Sequence, residues 1–214
     1  MIQLKDLLKI NKMKYSDEIK KKHQKKISMQ TKLIDSEMRI PEKPFPDNSS
    51  RETRDELQWL SIYNNGIIDK DVVKEGDEIL PLFENYCKDN NLTFNKKYYK
   101  EILKESTKTI LSMKYHYNRP RPYQLAEYYG IKEFEDFEMT SMKTPSYPSG
   151  HSTQGHLVAE LLGKKYPQHY DEFKKIADFI TKSRLMARAH FPSDCIFGEE
   201  VAKHILSKVI QNDT

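Results

Sequence analysis

A helical spacing of apolar residues runs through the middle of this chain and limits the folds that it can adopt. Behind Asn95, which favours the N-cap position, apolar and small side chains recur at steps of three and four residues as far as Met113. Other long segments repeat this spacing, and no useful length of sequence shows the two-residue alternation of a half-buried strand. The sequence therefore predicts an all-α fold, a single-domain helical bundle.

One domain is the expected organisation, because 214 residues with 37% hydrophobic content can bury one core. We expect residues 1–214 to form a single domain with two parts. Residues 1–48 are predicted to be an N-terminal helical extension, helical to about residue 38, that ends in a proline-rich connector starting at Ile40. Residues 49–214 are predicted to be the catalytic helical core.

Capping residues and helix-breaking residues predict several helix boundaries. Ser49 and Glu52 form a capping-box pattern, which predicts a helix that runs to the turn at Asn64, Asn65 and Gly66. Residues 69–90 form the next predicted helical stretch, in which Pro81 is expected to cause a bend or an interruption. A final helix is predicted from residue 193 to about residue 211.

The charge and the cysteines exclude several classes of protein. A net charge of +4 that comes largely from an early lysine cluster is not the basic stripe of a nucleic-acid binder. Two cysteines, Cys87 and Cys195, are too few for a disulfide scaffold, and we interpret both as buried thiols. No secretory signal is evident, and no window approaches the roughly 18 consecutive apolar residues of a membrane span. We expect a cytoplasmic, soluble protein, and the sequence leaves open whether it forms a homo-oligomer.

The segment from Ser183 to Asp194 carries the strongest chemical pattern. It sets His190 between Arg184, six residues earlier, and Asp194, four residues later. The carboxylate can hold one ring nitrogen of the histidine as N–H, which leaves the other nitrogen with a lone pair to attack phosphorus. The planar guanidinium matches two phosphoryl oxygens. The pattern therefore points to phosphate chemistry.

Two earlier segments supply further cations and a second histidine. Lys114 falls at the end of a predicted helix, and a rigid proline-rich loop then carries Arg121. Ser149, Gly150 and His151 stand where a loop enters a helix, so that free backbone N–H groups can form an anion cradle. Taken singly, each feature has an ordinary explanation, such as an N-cap or a charge at a helix end. Their joint occurrence favours a phosphate site.

The three segments, in this order, resemble the signature of the type 2 phosphatidic acid phosphatase superfamily. The matching spacings are Lys114-x6-Arg121-Pro122, Pro148-Ser149-Gly150-His151 and Ser183-Arg184-x5-His190-x3-Asp194. This superfamily includes soluble class A bacterial acid phosphatases, membrane lipid phosphatases and, through a shared active site, vanadium haloperoxidases. The resemblance covers roughly residues 98–211 and implies a helical bundle.

The resemblance also implies a role for each matching residue. His190 would be the nucleophile that forms a phosphohistidine, Asp194 the group that orients it, and His151 the general acid and then the base. The residues implied to bind the substrate phosphate are Lys114, Arg121, Ser149, Gly150 and Arg184. A small phosphorylated substrate is expected. No metal ion or other cofactor is expected, because three cations can stabilise the phosphoryl oxygens, and vanadate is expected to inhibit by occupying the phosphate site.

Two positions depart from the family pattern or duplicate it. Arg188 stands where glycine is common, and it either faces solvent or narrows the pocket. Arg119 repeats the Arg-Pro step, and we prefer Arg121 because of its spacing from Lys114. Three alternative functions remain open: a vanadium-dependent haloperoxidase, a phosphatase acting on lipid phosphates or diphosphates, and a phosphate-binding module without turnover.

Overall fold

The computed structural model of the protein describes residues 4–35, 42–131, 134, 137 and 139–210. These residues form ten α-helices. In chain order they are α1 (Leu4–Asn11), α2 (Lys21–Ile27), α3 (Arg51–Ile62), α4 (Lys70–Glu75), α5 (Ile79–Asp89), α6 (Lys96–Tyr117), α7 (Pro122–Ala126), α8 (Gly150–Lys165), α9 (Tyr170–Met186) and α10 (Pro192–Leu206). Short 3-10 helices lie at Tyr63–Gly66, Thr140–Met142 and Pro167–His169. Within the described ranges no strand occurs, so the predicted all-α fold is confirmed.

Helix α8 is the centre of the bundle, with α9 and α10 packed along it. One buried cluster joins α5, α6, α8 and α9 around Phe83 and Phe173, and a second joins α6, α8 and α10 around Leu157 and Phe197. At Gly198 of α10, a Cβ atom would lie 2.9 Å from the carbonyl oxygen of Ser149. The glycine therefore allows α10 to approach the start of α8 closely.

The N-terminal region is less helical than predicted, because only α1 and α2 form before residue 35. It is nevertheless anchored to the bundle. The buried carboxylate of Glu105 in α6 accepts hydrogen bonds from the backbone N–H groups of Lys32, Leu33 and Ile34, at 2.8 to 2.9 Å. Ile40, where the predicted connector begins, lies outside the described residues. The division of the domain near residue 48 stays a prediction.

Two predicted boundaries of α3 can be compared with the structure. Ser50, one residue after the predicted cap, is the N-cap, and its side chain accepts a hydrogen bond from the backbone N–H of Thr53 at 3.1 Å. The helix ends in the predicted turn, where Asn64 and Asn65 adopt left-handed conformations with φ of 53° and 55°. Asparagine tolerates this conformation better than most residues, which explains why the turn is readable from sequence.

The interruption predicted within residues 69–90 exists, but it does not lie at Pro81. The chain leaves the helical path at residues 76–78, between α4 and α5, and Pro81 sits in the first turn of α5. Proline is tolerated there because backbone N–H groups of the first turn have no partner within the helix. A Cβ atom at Gly76 would lie 2.0 Å from the Ser183 hydroxyl oxygen, so the chain packs closely against α9 at this break.

Several boundaries of the later helices lie where the sequence predicts them. Asn95 caps α6 by accepting from the backbone N–H of Tyr98, and Ser149 caps α8. His190 follows the end of α9, as predicted, and α10 begins at Pro192. Helix α10 ends at Leu206, and Gln211, its predicted end, lies outside the described residues.

Cys87 and Cys195 are free and buried, as interpreted. None of the helices in the described part of the chain combines the length and apolar content that crossing a bilayer requires.

Candidate active site

His190 lies in the short loop between α9 and α10 and is almost fully buried. Its Nδ1 atom is 3.3 Å from an Asp194 carboxylate oxygen, and its Nε2 atom is 3.0 Å from the Nη1 atom of Arg121. A carboxylate accepts and a guanidinium donates, so these partners assign the proton to Nδ1 and a lone pair to Nε2. Burial, and then Arg121, lower the pKa of His190 well below its ordinary value. The lowered pKa favours a neutral ring, whose Nε2 lone pair faces the Arg121 guanidinium.

Asp194 lies in the first turn of α10 with no exposed surface. Besides His190, it accepts from the backbone N–H of Phe191 at 2.9 Å, the Ser146 hydroxyl at 2.5 Å and Arg119 Nη1 at 2.6 Å. Burial by itself would raise the pKa of this carboxyl group. The guanidinium of Arg119 and the contact with His190 outweigh burial, so the pKa lies well below its usual range. Asp194 is therefore ionised and rigidly oriented.

Arg119 has a role that the sequence analysis missed. Its side chain is fully buried, and its second terminal nitrogen donates to Glu56 at 3.1 Å while the first contacts Asp194. The guanidinium also lies over the ring of Phe191, 3.9 Å from the ring centre. Arg119 thus supports the carboxylate that orients His190. Arg121, preferred over Arg119 as a phosphate-binding residue, lies beside His190, and its contact with phosphate stays a prediction.

Arg121 and Lys114 both donate to backbone carbonyl groups of the loops around His190. Arg121 donates to Thr144 O at 2.9 Å and to Ala189 O at 2.6 Å, and Lys114 donates to Pro145 O at 2.7 Å. Burial lowers the pKa of Arg121 to about 10 and lowers the pKa of Lys114 well below its ordinary value. An arriving anion would therefore compete with uncharged acceptors for two buried, poorly solvated cations.

The N-terminal region of the chain also reaches the loops that carry Arg121. The backbone N–H of Tyr15 donates to the carbonyl of Asn118 at 3.0 Å, and its hydroxyl donates to the carbonyl of Met142 at 3.0 Å. The Lys20 ammonium donates to the carbonyl of Lys143 at 3.3 Å. The predicted N-terminal extension thus contacts the loops that surround the candidate site.

The first turn of α8 brings the predicted anion cradle beside Lys114. The Ser149 hydroxyl oxygen accepts from the backbone N–H of Ser152 at 3.3 Å, which is the ordinary capping role. The backbone N–H of Ser149 donates to the Asp194 carbonyl at 2.9 Å, which fixes the start of α8 against the start of α10. A Cβ atom at Gly150 would lie 3.8 Å from the Lys114 Cε atom, so these two predicted residues are neighbours.

His151 and Arg184 meet at a carboxylate that the sequence analysis did not identify. The Asp77 Oδ1 atom is 3.0 Å from His151 Nε2 and 2.6 Å from Arg184 Nη1. Arg184 also donates to the carbonyl of Val73 and, at 3.0 Å, to the hydroxyl of Ser183. Burial lowers the pKa of His151, and the hydrogen bond that His151 donates to Asp77 opposes this by raising it. The hydrogen bond with His151 is the largest cause of the lowered pKa of Asp77.

The predicted site residues therefore lie at helix ends that meet. Lys114 comes from the end of α6 and Arg184 from the end of α9, while His151 and Asp194 come from the starts of α8 and α10. Asp77 could not be found from sequence, because a lone aspartate in a helix break carries no signal. The convergence of all these groups on one phosphoryl group stays a prediction.

Arg188 does not face solvent. It has φ of 53° and is buried, and its guanidinium donates to the carbonyl groups of Ser61 at 3.2 Å and Gly66 at 3.0 Å. The left-handed conformation explains why glycine suits this position. The arginine ties the end of α3 to the loop that carries His190.

The described residues contain no group of three or more histidine, cysteine, aspartate or glutamate side chains arranged to hold a metal ion.

Comparisons with known proteins agree with the motifs. Residues 101–203 match the PAP2 superfamily. The non-specific acid phosphatase of Salmonella typhimurium is 36% identical over 90 residues, and that of Salmonella typhi is 34% identical over 90 residues. Each alignment covers 42% of this chain and 35% of the relative, so the chain spans about a third of the length of these curated relatives. The matched residues 101–203 contain all eight predicted site residues, so the similarity to the PAP2 superfamily includes the whole candidate site.

Proposed function

We propose that this protein is a metal-independent phosphatase that hydrolyses phosphomonoesters through a phosphohistidine intermediate. The observation that carries the proposal is the environment of His190. Its Nδ1 atom faces Asp194 and its Nε2 atom accepts from Arg121, so a neutral ring presents one lone pair beside a buried cation. The similarity to non-specific acid phosphatases over 90 residues supports the same reaction class.

In the first step, the Nε2 lone pair of His190 attacks phosphorus, and the bond from phosphorus to the ester oxygen breaks. The electron pair of that bond goes to the leaving oxygen, which takes a proton from His151. The ring of His190 becomes positively charged, and Asp194 stabilises that charge. The product of this step is a free alcohol and a phosphohistidine.

In the second step, water attacks the phosphohistidine and gives a proton to His151, which now acts as a base. The bond from phosphorus to nitrogen breaks, and its electron pair returns to His190. Inorganic phosphate leaves, and both histidines regain their starting protonation states. One histidine thus serves as acid and then as base, as the symmetry of the two steps requires.

Lys114, Arg121 and Arg184 provide positive charge for the phosphoryl oxygens. Phosphoryl transfer gains chiefly from positioning and from charges set around these oxygens, which three cations can supply. An anionic oxygen forms stronger hydrogen bonds than a neutral carbonyl, so it would displace acceptors such as Pro145 O from Lys114. Each cation is expected to contribute roughly two to three decades in rate.

The test is alkaline-quench trapping of the intermediate with a ³²P-labelled phosphomonoester, in buffer that contains EDTA. The wild type should turn over the substrate and carry acid-labile label, and His190→Ala should lose the label and at least about 10⁴-fold in kcat. His116→Ala, at an exposed histidine of α6, is the matched control and should retain activity.

Three outcomes would contradict the proposal. Label that persists in His190→Ala would move the nucleophile elsewhere, and loss of turnover in EDTA would show that a metal ion is required. Halide oxidation that depends on added vanadate, without turnover of phosphomonoesters, would favour a haloperoxidase.

A further inference from the structure

The candidate site contains a second imidazole–carboxylate pair, whose histidine belongs to a recognised motif and whose carboxylate does not. Asp77 lies in the break between α4 and α5, and its Oδ1 atom is 3.0 Å from the Nε2 atom of His151. The family match begins at residue 101, so this carboxylate comes from a part of the chain that the match does not cover.

Asp77 is held in place from two sides. Arg184 Nη1 lies 2.6 Å from the oxygen that contacts His151, and the backbone N–H of Asp77 donates to the carbonyl of Lys74 at 3.1 Å. The preceding residue, Gly76, lies so close to Ser183 that a Cβ atom would overlap its hydroxyl oxygen. The helix break, the glycine and the arginine together direct this carboxylate at His151.

The contact determines which ring nitrogen of His151 remains available to exchange a proton with a substrate. A carboxylate accepts a hydrogen bond, so the Nε2 atom must carry a proton, and Nδ1 is then the nitrogen left to exchange a proton with a substrate. The helices packed on this end of α8 also present charged groups, namely Lys114 from α6, Arg184 from α9 and Asp194 from α10. Arg184 disfavours a charged ring, and Asp194 is paired with Arg119, so Asp77 is placed to favour the imidazolium form.

We propose that Asp77 is a positioning residue for protonation of the leaving group: it holds the Nε2–H of His151, so that Nδ1–H donates to the ester oxygen. This inference rests on the proposed function and adds a substrate preference to it. An alkoxide is a poor leaving group that needs a proton, whereas p-nitrophenolate leaves readily without one. Asp77 would therefore extend the activity to phosphate esters of ordinary alcohols.

The experiment compares kcat/KM for p-nitrophenyl phosphate and for glycerol 2-phosphate. Asp77→Asn should lose about 10²-fold on the alkyl ester and less than about fivefold on the aryl ester, within the usual range for a general acid. His151→Ala should show the same contrast, and adding Asp77→Asn to it should cause no further loss. Asp77→Ser, which also removes the charge, should behave like Asp77→Asn.

The pH profile is the second readout. Without Asp77, burial and Arg184 act on His151 with less opposition, so the alkaline limb of kcat for the alkyl ester should move to lower pH in Asp77→Asn. Glu78→Gln is the matched control. Glu78 is the adjacent, exposed carboxylate, and its side chain makes no capping hydrogen bond, so both the rates and the limb should match the wild type.

Equal losses on the two esters, an unmoved alkaline limb, or a further loss in the His151→Ala background would each overturn the inference while leaving the phosphatase proposal intact. Absence of turnover of both esters by the wild type would overturn the proposed function, and this inference with it.

Discussion

The site contains two imidazole–carboxylate pairs that differ in their surroundings. His190 and Asp194 approach to 3.3 Å in a fully buried setting, whereas His151 and Asp77 approach to 3.0 Å with the Asp77 side chain 39% exposed. Each carboxylate also contacts an arginine, at 2.6 Å in both cases. The same two residue types therefore occur twice, once shielded from water and once partly open to it.

The difference matches the task proposed for each histidine. A nucleophile must keep a fixed tautomer, and Asp194, with four hydrogen-bonding partners and no solvent, cannot reorient. A group that exchanges protons with an alcohol and then with water benefits from contact with solvent. Charge on Asp77 is screened by water, so each pair is expected to respond differently to loss of its carboxylate.

Asp194→Asn should produce the largest difference between the two pairs. An amide in place of the carboxylate permits the wrong tautomer of His190, which in a comparable histidine–aspartate pair lowers kcat about 10⁴-fold. We expect a loss of about 10³- to 10⁴-fold on p-nitrophenyl phosphate, against less than about fivefold for Asp77→Asn. Steady-state kinetics would measure both variants, and equal losses would show that burial does not distinguish the pairs.

Arg119→Met tests the support of the buried pair through stability rather than rate. Removing one partner leaves the buried Asp194 charge without its guanidinium, which should lower the free energy of unfolding by about 3 to 5 kcal/mol. Lys203→Met, which breaks an exposed pair with Glu199, should change it by less than about 0.5 kcal/mol. Urea unfolding would compare the two variants, and similar small losses would refute the importance of burial.

A change of pH should have the smallest effect of the three, a change in rate of about tenfold per pH unit outside the optimum. His190 must be neutral and its pKa lies well below 6.5, while His151 must be protonated and its pKa lies below 6.5. Activity should therefore rise as pH exceeds the first value and fall as pH exceeds the second, with an optimum on the acid side of neutrality. A flat profile from about pH 4 to about pH 9 would contradict this assignment.

The sequence was sufficient for the parts of the site that depend on local chemistry. Asparagine and serine favour the N-cap position of a helix. The starts of α6 and α8, at Asn95 and Ser149, could therefore be predicted from residue type. Motif spacing then identified eight candidate site residues. The structure places these residues at or near adjoining helix ends.

The remaining features depend on contacts between distant segments. Arg119 reaches Asp194 across 75 positions and Arg184 reaches Asp77 across 107, and no local pattern encodes such pairings. Pro81 was predicted to break a helix, but the break lies at residues 76–78, because the packing of Gly76 on Ser183 decided its place. Tertiary packing, rather than backbone preference, determined these outcomes.

The site takes several of its supports from the first hundred residues. Asp77 contacts His151, Glu56 contacts Arg119, and the carbonyl of Ser61 accepts from Arg188. Two proteins with identical signatures from residue 101 onward can therefore differ in leaving-group range and in pH optimum. The signature supports the proposed reaction, and the groups supplied by the sequence before it are expected to adjust how that reaction is carried out.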